Sequence, residues 1–302
     1  MQKKAAVVAL GMFDGVHMGH RKLLSAAVRM AAEMGAVPVA YTFSNSPQSI
    51  FRDPPPILTL PEEKAEIIRA LGLEVQMEAF TEKFASQQPL EFIEMLMDQY
   101  DLRGVVCGFN YHFGSKRAGN PEVLREFGER NGFQTCVVPA VIYCGAPVSS
   151  TRIRTALLEG DIRGANAMLV DPFFYKGTVV AHKQLGTKLG FPTANLLPGG
   201  KLLPPFGVYA AEAEVEGQIF GAVANVGVRP TVDSSSHPMV TVEPYLLDFN
   251  GNLYGKELTL RLISFLRGEH KFESKEALKA QIAHDAQTAA LHLTEYWREQ
   301  QK

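Results

Sequence analysis

The apolar run Ala5 to Leu10 passes directly into Gly11-Met12-Phe13-Asp14-Gly15-Val16-His17-Met18-Gly19-His20, and an amphipathic stretch, Arg21 to Met34, follows at once. A short strand that is apolar throughout must be buried on both faces, with neighbouring strands beside it and helices over it. Glycines in the turn that follows let a ligand come close to the backbone. The first turn of the helix then offers unsatisfied N–H groups and the positive end of a dipole to an anion. His17 and His20, three residues apart across Gly19, add ring donors where a phosphate would lie. This layout is that of a nucleotide-handling site.

The same alternation continues to about residue 140. Val37–Phe43, Gly104–Gly108 and Thr135–Pro139 read as buried parallel strands, with helical patterns at Lys22–Met34, Pro61–Leu71, Pro89–Gln99 and Pro121–Asn131 between the strands. Proline opens the last three helices, where its missing N–H costs nothing. Strand alternating with helix implies a doubly wound α/β layer, which binds ligands beyond the carboxyl ends of its strands. Ser149-Ser150-Thr151 supplies hydroxyl caps for a helix over Arg152–Glu159, and a second short helix runs to about Leu169. Asp171-Pro172 reads as a hinge, which puts the boundary between residues 1–172 and 173–302.

Beyond the hinge the pattern changes. Gly177–Ala181, Gly207–Val215, Gly221–Val226, Val240–Asp248 and Glu257–Leu266 are short β-rich runs separated by Gly, Pro and Asn turns. Asn250-Gly251 carries a hairpin signal. Such spacing predicts a closed β-barrel, followed by a helix from Ser274 to about Gln300. Trp297, the only tryptophan, is expected to anchor that helix to the barrel, and His292 is expected on its surface.

A formal net charge of -2 gives no electrostatic case for nucleic acid as a main partner. The three cysteines, Cys107, Cys136 and Cys144, form no disulfide framework or metal-ligand spacing, which favours a reducing compartment. No uninterrupted apolar run approaches the roughly 20 residues of a membrane helix. With no leader pattern at the N-terminus, the expected location is the cytoplasm.

Nucleotidyl transfer needs a phosphate held in line with its attacker and stabilisation of charge on the phosphorus oxygens. His17 and His20 can donate to α-phosphate and leaving-group oxygens, Gly11, Gly15 and Gly19 allow close approach, and Arg152 or Arg154 can clamp departing pyrophosphate. In the second half, Pro192-Thr193-Ala194-Asn195 sets a hydroxyl and an amide close together, able to give two oxygen ligands to Mg²⁺. Glu243 lies in an alternating strand, where an inward carboxylate must be used or paired. A carboxylate facing a substrate hydroxyl can serve as general base in phosphoryl transfer.

The segment Gly11-x-Phe13-Asp14-Gly15-Val16-His17-x-Gly19-His20 resembles the nucleotidylyltransferase signature of the prokaryotic bifunctional FAD synthetases. Ser149-Ser150-Thr151-x-x-Arg154 is similar to their second N-terminal motif, and Gly108 to Gly114 with Gly119-Asn120 to their flavin-side loop. The resemblance implies an N-terminal nucleotidylyltransferase domain that moves AMP from ATP to FMN, giving FAD and pyrophosphate. It implies ATP contacts at Phe13, Asp14, Ser149, Ser150 and Thr151, and flavin contacts at Asn110, Phe113 and Arg267. It also implies a riboflavin kinase barrel with Mg²⁺ on Thr193 and Asn195, Glu243 activating the riboflavin 5'-hydroxyl, and ATP on Gly186, Lys188 and Gly190. Weak homo-oligomers are compatible with it.

The chain departs from the commoner pattern at several places. Ser44-Asn45-Ser46 stands between Phe43 and Pro47 where the family has an Asp and a His, Asn110 stands for an Asp, His182 for a Gly and Thr187 for an Arg. His182 and Thr187 keep open a second reading, an FMN adenylyltransferase whose barrel is a degenerate flavin- or ADP-binding module.

Overall fold

The computed structural model describes residues 3–50, 53–179, 194–229 and 239–301. The chain divides into two compact units, Met1–Ser150 and Thr151–Lys302. The first contains β1 (Lys4–Leu10), α1 (Met18–Glu33), β2 (Val37–Phe43), α2 (Pro61–Ala70), β3 (Glu74–Glu78), α3 (Glu82–Ser86), α4 (Pro89–Gln99), β4 (Tyr100–Gly108), α5 (Pro121–Asn131), β5 (Gln134–Val138) and the short hairpin β6 (Ile142–Tyr143) and β7 (Ala146–Pro147).

Five parallel strands form one sheet in the order β3-β2-β1-β4-β5. β1 is central, so alternate residues serve two cores. Ala6, Val8 and Leu10 pack with Phe92, Ile93 and Leu96 of α4 and Leu124 of α5. Val7 and Ala9 pack with Leu23, Leu24 and Ala27 of α1 and Ile68 of α2. The chain winds outward from β1 to β3 and then crosses back to β4, so the strand order reverses between β1 and β4. The glycine turn leaves the carboxyl end of β1 at that switch point, where doubly wound sheets bind ligands.

Helix ends follow their local chemistry. The Glu63 carboxylate accepts from Leu60 N at 2.8 Å ahead of α2, and Asn120 Oδ1 accepts from Glu122 N at 3.0 Å and Val123 N at 3.1 Å to cap α5. The edge strand β3 escaped the sequence reading because Glu74-Val75-Gln76-Met77-Glu78 is short, lacks the continuous apolar run of the inner strands and is paired on one side only.

The second unit holds most of α6 (Ser150–Leu158), then α7 (Ile162–Leu169), β8 (Phe174–Thr178), β9 (Gly207–Val215), β10 (Gln218–Arg229), β11 (Met239–Leu246), β12 (Glu257–Gly268) and α8 (Lys275–Gln300). The division falls earlier than Asp171-Pro172 because α7 is tied to β12: Asn166 donates to Leu262 O at 2.8 Å and accepts from Phe173 N at 2.9 Å. The five β-strands pair antiparallel in the order β11-β10-β9-β12-β8. The sheet curls strongly. Leu196 pairs with Val242 of β11, and its Cδ2 would lie 3.8 Å from a Cβ placed on Gly177 of β8. The unit is a curled antiparallel half-barrel, in keeping with the barrel-type fold expected, and among the described residues no ladder joins β8 to β11. Asn250-Gly251 turns no hairpin, since β10 and β9 lie between β11 and β12.

Helix α8 starts as expected, with Ser274 Oγ accepting from Ala277 N at 3.1 Å. Ala289 and Leu293 are buried against Val208, Ala210 and Ile263. Trp297 Nε1 donates to buried Glu212 and anchors the helix. His292, expected on the surface, meets buried Ser264 Oγ at 2.7 Å. A buried carboxylate completes the docking: Asp285 takes Arg267 Nε at 3.0 Å and Nη2 at 2.7 Å, and Gln281 Nε2 at 2.8 Å. Removing one partner of such a pair leaves a desolvated charge. Asp285→Ala is therefore expected to lower the unfolding free energy of this unit by about 3 kcal/mol. Urea unfolding followed by Trp297 fluorescence measures it, and an unchanged midpoint refutes the assignment.

Candidate functional site

The glycine turn is built from strained backbone held on several sides. Phe13 and Val16 have φ of 51° and 34°, a region that side-chain-bearing residues avoid, and Gly15 has φ of 80°. Such residues cost on the order of 1–3 kcal/mol each and persist only where surrounding bonds enforce them. Asp14 Oδ1 accepts from Leu58 N at 3.0 Å, Thr59 N at 3.1 Å and Thr59 Oγ1 at 3.3 Å. Thr59 Oγ1 in turn accepts from Gly15 N at 3.0 Å. Thr42 Oγ1 and Lys64 Nζ both donate to Met12 O at 3.0 Å, and Arg21 Nε donates to Val16 O at 3.3 Å. Ser150 Oγ donates to Asp14 O at 3.0 Å, tying the start of α6 to the turn.

This scaffold presents two imidazoles. His17 caps α1, its Nδ1 accepting from His20 N at 3.4 Å, so the neutral ring carries its proton on Nε2. His17 and His20 stack with centroids 3.6 Å apart and planes 17° from parallel. Gly19 leaves the space for this, because a Cβ there would lie 3.2 Å from His17 Cε1 and Nδ1. The edge of buried Phe13 supports His20 at 5.4 Å, and Gly11 makes room for that ring, since a Cβ there would come 2.6 Å from Phe13 Cε1. His20 Nδ1 is buried without a hydrogen-bond partner. Burial above all, then His17, then Lys64, hold the His20 pKa well below its ordinary value, so the ring is neutral.

The other expected residues of this half separate into groups. Gly11, Phe13, Asp14, Gly15, Gly19 and Ser150 converge on the turn, with Phe13 and Asp14 acting as supports for the rings and the backbone. Ser149 is half-buried beside Ser150, Thr151 is exposed, and Arg152 and Arg154 follow half-buried on α6. Asn110 is exposed on the loop after β4, whereas Phe113 is 7% exposed, packed at 5.5 Å on Phe92 and stacked at 5.7 Å on Tyr111. Thr42, Thr59 and Lys64 were missed because they come from β2, the segment before α2 and α2 itself, and no local motif marks them.

In the second unit, Ala194 N donates to Pro244 O at 2.9 Å and Leu196 pairs with Val242, so Asn195 lies opposite Glu243 of β11. On the other side of β11, Glu243 pairs with Asn225. Paired antiparallel residues project from the same face. Leu196 and Val242, both fully buried, occupy the opposite one. Glu243 Oε1 accepts from Thr241 Oγ1 at 3.1 Å. Asn195 is 4% exposed and its Oδ1 has no partner, an arrangement that costs about 1–3 kcal/mol unless a ligand meets it. An orphaned amide oxygen close to a carboxylate suits a hard cation such as Mg²⁺. Thr193, Gly186, Lys188 and Gly190, with His182 and Thr187, lie outside the described residues. Arg267, expected at the flavin, is engaged by Asp285, and its Nη1 donates to Gly268 O at 3.0 Å.

Comparison with known proteins agrees with this division. Residues 1–152 match the FAD synthetase family and residues 169–293 the riboflavin kinase family. The bifunctional riboflavin kinase/FMN adenylyltransferase of Bacillus subtilis is 34% identical over 294 residues, covering 95% of this chain and 92% of that protein. The protein of the same description from Pseudomonas fluorescens is 34% identical over 298 residues, 95% and 93% of the two chains. A solved structure described as a macrolide-efflux protein from Streptococcus pneumoniae superposes with a TM-score of 0.86 at 30% identity, covering 95% of this chain and 94% of that one. Among the described residues no helix is long and apolar enough to cross a membrane. With both family matches in tandem and full-length relatives of one description, the chain belongs to the bifunctional riboflavin kinase/FMN adenylyltransferase family.

Proposed function

We propose that the second unit phosphorylates riboflavin with ATP, giving FMN and ADP, and that the first transfers AMP from a second ATP to FMN, giving FAD and pyrophosphate. The observation that carries the reading is the stacked His17–His20 pair at the mouth of α1, with the His20 ring neutral, held by a strained turn at the sheet's switch point. The orphaned Asn195 oxygen beside Glu243 supports the kinase half over a degenerate barrel.

In adenylyl transfer a phosphate oxygen of FMN attacks the α-phosphorus of ATP, and the bond from that phosphorus to the bridging oxygen breaks. The protein supplies position and charge stabilisation. His17 Nε2–H and the His20 ring donate to oxygens that gain charge, and the N-terminus of α1 adds its positive potential. The scaffold is formed before substrate arrives, so little reorganisation is needed in the transition state. Asn110, exposed beyond β4, is the side chain we assign to the flavin.

In phosphoryl transfer the riboflavin 5'-hydroxyl attacks the γ-phosphorus while Glu243 takes its proton. Asn195 and Thr193 would hold Mg²⁺, which when bound neutralises charge on the ATP phosphates. Gly186, Lys188 and Gly190 are assigned to ATP in this half, and the cytoplasm is the proposed location.

His20→Ala is expected to lower FAD formation from FMN by at least about a hundredfold while riboflavin phosphorylation continues. Glu243→Gln is expected to do the reverse, with a comparable loss of FMN formation. Chromatographic separation of riboflavin, FMN and FAD after incubation with ATP and Mg²⁺ checks both, and FMN formation that survives Glu243→Gln removes Glu243 as the base. The pH dependence of stability has a fixed sign. The folded His20 pKa lies below the unfolded value of about 6.5, so as pH falls through that value the unfolded chain takes up the proton first. The unfolding free energy of the first unit should therefore decline below about pH 6.5, and His20→Asn should flatten that slope in urea titrations at stepped pH.

A further inference from the structure

The amine of Lys64 is a buried cation that the reaction as derived does not use. Lys64 is 4% exposed on α2, and its Nζ donates to Met12 O at 3.0 Å and Phe43 O at 2.6 Å. Those carbonyls belong to the glycine turn and to the last residue of β2. Among the described residues no ion pair joins it to a carboxylate. A buried charge hydrogen-bonded only to carbonyls, with the Asp14 carboxylate acting on it through space, keeps much of its potential, and its desolvation is costly. An uncharged side chain could fill the same space more cheaply, so the charge calls for a further anionic partner, and the nucleotide site is adjacent through Met12.

We propose that Lys64 is a positioning residue for adenylyl transfer: it clamps the glycine turn to the end of β2 and lends the polyphosphate site a fixed, buried positive charge. The inference rests on the adenylyl-transfer reading. The charged and titratable groups around it are Asp14 from the turn and His20, with His17, from the first turn of α1. Burial pushes the Lys64 amine down to about 8, opposed by Asp14. The Lys64 charge in turn adds to burial and His17 in disfavouring protonation of His20. The free enzyme thus stores positive charge on the lysine and keeps the His20 imidazole neutral. Entry of a triphosphate offsets that field and makes it easier for His20 to hold a proton.

Two variants separate clamp from charge. Lys64→Gln retains an N–H donor and drops the charge, and Lys64→Met drops both. Each is assayed for the KM for ATP and kcat of FAD formation from FMN across pH, for the titration of the His20 ring by NMR, and for riboflavin phosphorylation as a control for folding. Both variants should raise the KM for ATP by about tenfold and shift His20 titration upward, and only Lys64→Met should also lower kcat. An unmoved His20 titration in Lys64→Gln, or a wild-type KM for ATP in both variants, overturns the inference. If Lys64→Met does not fold, Lys64→Gln decides alone. Wild-type protein that makes no FAD from FMN sinks the functional reading instead, and the His20 titration then still tests where the charge resides.

Discussion

Two imidazole rings can lie face to face at 3.6 Å inside a helix terminus only while they do not both carry charge. That constraint organises the first unit. Neutrality requires burial, and burial requires a turn tight enough to bring His17 and His20 back over the end of β1. The turn requires positive φ at Phe13 and Val16, which in turn needs the bonds from Thr59, Thr42 and Lys64. Each step recruits residues from a different element, so the chemistry depends on the sheet order that brings β1, β2 and α2 together.

The second unit solves a different problem with a similar device. Leu196 closes against Val242 through paired backbone bonds, and this fixes Asn195 opposite Glu243. The amide oxygen is buried with its bonding capacity unmet, a local penalty that the antiparallel pairing on either side sustains. Other buried polar side chains are committed to protein partners, as with Asp285, Glu212 and Ser264.

Much of this is legible in the chain itself because the periodicities are local. The continuous apolar runs gave β1, β2, β4 and β5, and prolines marked the starts of α2, α4 and α5 to the residue. The strand–glycine–helix order alone located His17 and His20. What the chain concealed is what depends on distant partners. Lys64 lies 52 residues from Met12, and nothing in Pro61-Glu62-Glu63-Lys64 distinguishes it from an ordinary solvated helix start. Asn250-Gly251 carries a turn signal whatever strands flank it, so it could not reveal that β9 and β10 intervene. His292 gave no local sign of a partner, since the Ser264 hydroxyl it meets belongs to β12.

The aromatic and basic residues that the resemblance assigns to the flavin also hold packing and ion-pair contacts within the protein. Phe113 is held in the core by Phe92 and Tyr111, and Gly119 is small because its Cβ would lie 2.7 Å from the Phe113 ring. Arg267 commits Nε and Nη2 to Asp285 and Nη1 to Gly268 O, and its guanidinium lies 5.8 Å from the Phe272 ring. Phe113 thus packs within its loop and Arg267 is fixed at the end of β12, while Asn110 is exposed on its loop. Asn45 follows the same logic: its amide bridges Phe80, accepting from its N at 2.7 Å and donating to its O at 3.0 Å. That pair of hydrogen bonds to one backbone residue fixes the loop after β2 without a charged side chain.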